Sequence, residues 1–234
     1  MADTWPGLSQ TMSNAFAAVG RGERVNDNAI FVRKHTFFDR ISVPSGSATT
    51  NATFFTGAFS RFFRNVNNGL VNADSAMWVQ TLKLIPEVNV TYASGAAITN
   101  GTPIVGSATA ANAVSVMTQA AEIHRAIQGG VVTFKIGDRN WVDNLYGCAS
   151  FPAGPQPTIE GFATSTTTGP TERIAALLVN GNAATDAKWP LGQIPLLPQK
   201  PFSVIVDWQA DIQPTVSWVL RAEVEGVLVS AANA

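Results

Sequence analysis

The sequence predicts an all-β fold, a β-sandwich or barrel, on three observations. Apolar residues fall on every second position from Phe202 to Trp208 and again from Val216 to Leu228. In the second stretch Val216, Trp218, Leu220, Ala222, Val224 and Leu228 share one face. Ser217, Arg221, Glu223 and Glu225 take the other, with Val219 and Val227 as exceptions. A period of two marks a strand with one buried face. Turn residues break the chain into eight or nine such runs with long loops, which is a sandwich count. Helical spacing is confined to two short segments.

The first helix lies near the N-terminus, where Leu8, Met12 and Phe16 stand beside Ala15 and Val19 and the pattern ends at Gly20 and Gly22. Residues 1–28 are read as an N-terminal arm and 29–234 as the sandwich domain. Ala29–Val43 is rich in Ile, Phe and Val, its second half alternates as a strand, and Pro44 closes it. Ser45–Ala52 reads as a Ser/Thr/Gly loop and Thr53–Thr56 as a short strand. Phe59, Phe62, Phe63 and Val66 have the spacing of a helical turn ending at Asn67-Asn68-Gly69. Met77–Val90 is β-rich but alternates poorly, with Pro86 marking an edge or bulge.

Ala93–Ala111 is low-complexity Ala/Gly/Thr/Ser and reads as a long surface loop. Val116, Ala120, Ile123 and Ile127 form the stripe of a second helix near Val114–Gln128, stopped by Gly129-Gly130. Val131–Ile136 is a strand, Gly137-Asp138-Arg139-Asn140 a tight turn, and Trp141-Val142 the return. Phe151–Pro155 and Thr164–Pro170 are loops, Ile174–Val179 a buried strand, and Trp189–Pro201 an irregular apolar segment. The last two strands, joined by Gln209–Thr215, are expected to form a long antiparallel pair. The core should include Val132, Phe134, Ile136, Ile174, Leu178, Val204, Val206, Trp218, Leu220 and Val224.

Composition bounds the function. A chain of 234 residues should bury roughly 70% of its unfolded surface, so it needs neither disulfide nor metal to hold a core. The single cysteine, Cys148, reads as a small buried hydrophobe. Charged residues make up 13% against a usual share of about 25%, as expected of a surface covered by neighbouring copies. Residues 1–64 hold seven Lys/Arg (Arg21, Arg24, Arg33, Lys34, Arg40, Arg61, Arg64) against four acids. That surplus suits a mildly basic face toward phosphates or lipid headgroups. Met1–Gly7 has no basic start and no apolar run follows, so no signal peptide is expected. No run is long enough for a transmembrane segment.

Catalytic chemistry is thin. His35 and His124 are the only histidines and lack the nearby ligands that zinc requires. His124 sits on an apolar helix; His35 stands beside Arg33 and Lys34, which depress its charged form. No nucleophile elbow or phosphate-binding glycine loop occurs. Glu223 and Glu225 share a strand face about 7 Å apart, a spacing that suits glycosidase carboxylates but also an ordinary exposed strand. Asp207 and Asp211 straddle a turn without a calcium loop. The expectation is a protein that is not an enzyme and has no cofactor, no metal and no small-molecule substrate.

Three segments carry a resemblance. They are Val131–Arg139 followed by Phe151-Pro152-Ala153-Gly154; Trp189-Pro190-Leu191 through Ile194-Pro195-Leu196-Leu197-Pro198; and Pro201–Trp208 with the closing strand Ser217–Val229. Together they resemble the jelly-roll major capsid proteins of tailless icosahedral bacteriophages, including those with an internal membrane. The resemblance implies a jelly-roll β-sandwich. A single roll fits the length, and a compact double roll is the alternative. It further implies a structural subunit that self-assembles with copies of itself and other capsid proteins, in a virion assembled in the host cytoplasm. The arm residues Leu8, Met12, Phe16, Val19, Arg21 and Arg24 would then face the genome, an internal membrane or a neighbouring subunit; the alternative is that the helix packs on its own subunit and the arginines face water. The alternative function is a carbohydrate- or surface-binding sandwich module, an adhesin or viral fibre domain, for which Trp141, Tyr146 and Trp189 are the aromatics to inspect.

Overall fold

The computed structural model describes residues 4–60, 63–87, 90–91, 99–100, 122, 126, 129–146, 159–161, 176–178, 189–214 and 217–232. One short helix, α1 (Gln10–Gly20), precedes β1 (Ile30–Val43), β2 (Thr49–Phe54), β3 (Ser75–Glu87), β4 (Val90–Thr91) and β5 (Thr99–Asn100). Then come β6 (Gly130–Ile136), β7 (Arg139–Tyr146), β8 (Ile159–Gly161), β9 (Ala176–Leu178), β10 (Trp189–Leu196), β11 (Phe202–Ile212) and β12 (Trp218–Ala231). Eight of these strands form two four-stranded antiparallel sheets, ordered β1-β12-β3-β10 and β2-β11-β6-β7. The remaining four make two small ribbons, β4-β5 and β8-β9.

The sheets face each other through one core. Phe37, Met77, Leu82, Leu196, Leu220 and Val224 come from the first sheet, and Phe54, Val132, Phe134, Phe202 and Val204 from the second. Phe37 meets Phe202 across the gap with ring centroids 5.7 Å apart. Of the expected core, Val132, Phe134, Val204, Val206, Trp218, Leu220 and Val224 are buried. Ile136 is half-buried at the rim. Ile174 and the side chain of Leu178 lie outside the described residues.

The expected pairing of the last two strands is overturned. β11 pairs with β2 and β6, whereas β12 pairs with β1 and β3, so the chain passes from one sheet to the other between the end of β11 at Ile212 and the start of β12 at Trp218. A two-residue period reveals which face a strand buries but not which strand lies beside it. Within the eight-stranded body only β6 and β7 form a hairpin, over the turn Gly137-Asp138 with Ile136 opposite Arg139.

The poor alternation of β3 has a local cause. Glu225 pairs with Thr81 and Gly226 with Val79, so Gln80 is an extra residue on β3. The bulge flips the inward parity from Met77 and Val79 to Leu82 and Leu84. Gly226 is required there, because a Cβ would stand 1.9 Å from the Trp78 carbonyl oxygen.

Several expected loops also change. Thr49–Phe54 is a strand, so the loop after Pro44 is shorter than Ser45–Ala52. Thr99–Asn100, within the expected long loop, pairs with Val90–Thr91. The segment Trp189–Leu196 is an edge strand with a bulge between Pro190 and Ile194 rather than irregular chain. In the described part of 59–66 the Ser60 carbonyl accepts from the Phe63 amide at 3.0 Å and the Arg64 amide at 2.8 Å, closing a single turn as expected, and Ser60 and Arg64 also form an isolated bridge. The second helix lies outside the described residues except for Glu122 and Ala126, whose backbones are helical together with Gly129.

Candidate functional site

The arm residues expected to meet a partner form a second apolar cluster on the outer face of the first sheet. Ser9 caps α1, its side chain accepting from the Met12 amide. Met12, Ala15 and Phe16 are buried against Ala76, Trp78 and Val229, with Leu8 and Val19 half-buried around them. Phe16 stacks on Trp78 with centroids 4.5 Å apart and planes 11° apart, and Trp5 meets both rings edge-on. Trp78 Nε1 donates to the Phe16 carbonyl at 2.7 Å. The stripe therefore packs on its own chain. An isolated 11-residue helix would not hold in water, and this contact supplies what it needs.

The basic end of the arm is separate from that contact. Arg21 and Arg24 are exposed just beyond the helix. Arg21 Nε donates to Glu23 Oε1 at 2.8 Å, and this hydrogen bond holds the Glu23 carboxyl below its ordinary pKa. Arg24 has no ion-pair partner among the described residues. The six arm residues thus divide into a buried stripe and a solvated pair.

The enzymatic candidates do not converge. Glu223 and Glu225 share the outer face, as their spacing predicts, but both bind Lys83, whose Nζ lies 4.0 Å from Glu223 Oε2 and 2.8 Å from Glu225 Oε1. Arg221 Nε adds a 3.1 Å contact to Glu223, and the Thr81 hydroxyl donates to Glu225. This is a network of paired charges on a sheet face. Asp207 and Asp211 are exposed on β11. His35 is half-buried with its ring edge-on to Phe37, and burial first, then Arg33, lowers its pKa. His124 and Cys148 lie outside the described residues. Among the described residues no three His, Cys, Asp or Glu come together to hold a metal. None of their helices is long and apolar enough to cross a membrane.

The three aromatics of the alternative reading sit on two sheets. Trp141 and Tyr146 belong to β7, at an edge of the second sheet, and Trp189 to β10, at an edge of the first. Trp141 is partly exposed under the Arg139 guanidinium, 4.6 Å from ring centroid to Cζ.

Sequence reasoning missed the loop between β2 and β3. Asp39 is only 1% exposed; its Oδ2 accepts from the Phe55 amide at 2.6 Å, its Oδ1 accepts from the Arg40 amide at 2.7 Å, and Arg64 pairs with it at 3.1 Å. Burial raises its pKa against these three favourable contacts. Phe55 is held at φ 68°, an uncommon value for a bulky residue. The only sequence signal was an acid in a strand whose odd positions are otherwise apolar near Phe37, Ile41 and Val43. Comparison of the chain with protein-family models, curated proteins and solved structures finds no match.

Proposed function

We propose that the sandwich is a single jelly roll and that the chain is a structural subunit, a viral capsid protein whose copies build a closed shell. The observation that carries the reading is the pairing of the eight main strands. The first pairs with the last (β1 with β12), the second with the second-last (β2 with β11), the third with the third-last (β3 with β10), and the middle two with each other (β6 with β7). One long hairpin gives those pairs, and rolling it up adds the contacts β12 with β3 and β11 with β6. Rolled eight-stranded sandwiches of two Greek keys are the architecture of viral capsid and lectin domains. Eight strands account for one roll, which favours the single form over the double.

Low charge and the absence of convergent catalytic groups among the described residues support a structural role over an enzymatic one. The exposure of Arg24, and of Arg21 beside its Glu23 partner, supports a basic arm turned toward an anionic surface. Partners are then other copies of the chain, other shell proteins, and the genome or an internal membrane. Static light scattering at rising concentration, over a range of salt and pH, tests this reading. Growth to a many-copy species of fixed mass is expected; a monomer under every condition would count against it.

A further inference from the structure

A cleft of about 440 Å³ opens at the start of β1 and the end of β12, the end away from the β11–β12 crossing. Its back wall is the inner face of β1 and β12, carrying Arg33, His35 and Ser230; its front wall is the loop between β2 and β3, carrying Phe59, Asn67 and Asn72. The volume falls within the range of small-molecule sites.

The front wall is built rather than draped. Asp39 fixes both Phe55 and Arg64, as described above. The Asn65 side chain accepts from the Phe38 amide at 2.7 Å and donates to the Thr36 carbonyl at 2.7 Å, locking the loop to the edge of β1. The Asn67 side chain accepts from the Phe59 amide at 3.2 Å. Gly69, at φ 62°, passes so close to β11 that a Cβ would stand 2.2 Å from the Phe202 carbonyl oxygen. On this pinned frame Phe59 is held 61% exposed. A large apolar ring exposed beside a polar cleft offers a flat surface for a ligand ring.

The lining chemistry narrows the ligand. Among the described residues neither Asp nor Glu lines the cleft, so no carboxylate there favours a cationic ligand. Arg33 is a fixed cation with no ion-pair partner among the described residues, suited to forked hydrogen bonding of a carboxylate. Asn67, Asn72, Ser75 and Ser230 bring amides and hydroxyls, which both donate and accept and so match ligand hydroxyls that do the same. A carboxylate, several hydroxyls and a ring with an apolar C–H face coincide in an acidic sugar.

From this arrangement we propose that the cleft between Arg33 and Phe59 is a binding site for an acidic saccharide, its ring lying on Phe59 and its carboxylate on Arg33. The site does not depend on copies of the chain assembling, so failure of either idea leaves the other standing.

The test is calorimetric and NMR titration of the full chain with glucuronate, galacturonate and N-acetylneuraminate. Methyl glucoside, acetate and adenosine monophosphate serve as comparison probes. At least one acidic sugar should saturate the protein and bind about tenfold or more tightly than the glucoside or acetate. Arg33→Gln and Phe59→Ser, both at exposed positions, should each weaken that binding about tenfold or more while leaving the circular dichroism unchanged. His35 should give a signature that mere surface adsorption would not: a carboxylate seated beside it offsets the repulsion from Arg33, so its titration moves to higher pH. No saturation by any of the three acidic sugars overturns the proposal. So does equal binding of glucoside or acetate, tighter binding of the nucleotide, or binding retained in both variants.

Discussion

Asn65 acts as a short substitute for a neighbouring strand. Its amide supplies both the acceptor for Phe38 and the donor for Thr36 at an edge of the first sheet that would otherwise face no strand. Asn65→Ala leaves a backbone N–H and a C=O in a part-buried place without partners. That change should cost about 1–3 kcal/mol in chemical denaturation. Asn65→Asp keeps the acceptor for Phe38 but sets a carboxylate oxygen against the Thr36 carbonyl, so it should destabilise the fold as well. His35 gives a prediction in pH. Its folded-state pKa is lowered from the ordinary 6.5 by burial and by Arg33. Above that value both folded and unfolded forms are neutral there, and the stability is complete. As pH falls through the unfolded value the unfolded chain takes the proton first, so stability is lost until the folded form also protonates. In His35→Gln that part of the acid dependence should vanish from a denaturation series run from pH 8 to pH 5.

At the scale of elements, α1 and its platform make the sharpest case. Phe16 is fully buried and stacked on Trp78, so Phe16→Ala should cost about 3–5 kcal/mol, measured by urea denaturation. Removing residues 1–24 uncovers Ala76, Trp78 and Val229 together. The truncated sandwich should unfold at a lower temperature and bind an apolar fluorescent dye that the full chain does not. An unchanged melting temperature would mean that the helix adds nothing to its own subunit.

How much of these elements the sequence made legible follows from the period of each signal. The stripe Met12, Ala15, Phe16, Val19 was readable because a helix repeats its face at every turn. β12 was readable because its inward positions alternate without interruption from Trp218 to Leu228. β3 was blurred by one extra residue, Gln80, that no periodicity can announce. The partner of β11 was misread because alternation carries no information about the neighbouring strand. The cleft was hidden for a related reason: Arg33, Phe59 and Asn72 are brought together only by the crossing of β1, β12 and the β2–β3 loop. His35 was noticed beside Arg33 in sequence, but its burial, the larger cause of its shift, is a tertiary fact.

For the whole molecule, the eight main strands pair concentrically, and the helix of the N-terminal segment covers one end of the first sheet's outer face, at Ala76, Trp78 and Val229. On the outer face the two cations Lys83 and Arg221 are paired with the two carboxylates of Glu223 and Glu225. Such balanced sides suit lateral contact between copies, since like charges do not meet across the seam. Lys83→Glu sets a third carboxylate against those two. It should weaken association between copies and lower the stability of the subunit as well, a pair of effects that sedimentation and denaturation separate. Electron cryomicroscopy of the purified, concentrated chain is the most direct measurement of the shell reading. Closed particles of one size are expected, each subunit showing sheets ordered β1-β12-β3-β10 and β2-β11-β6-β7. Dispersed monomers under all conditions, or open aggregates without fixed size, would contradict it.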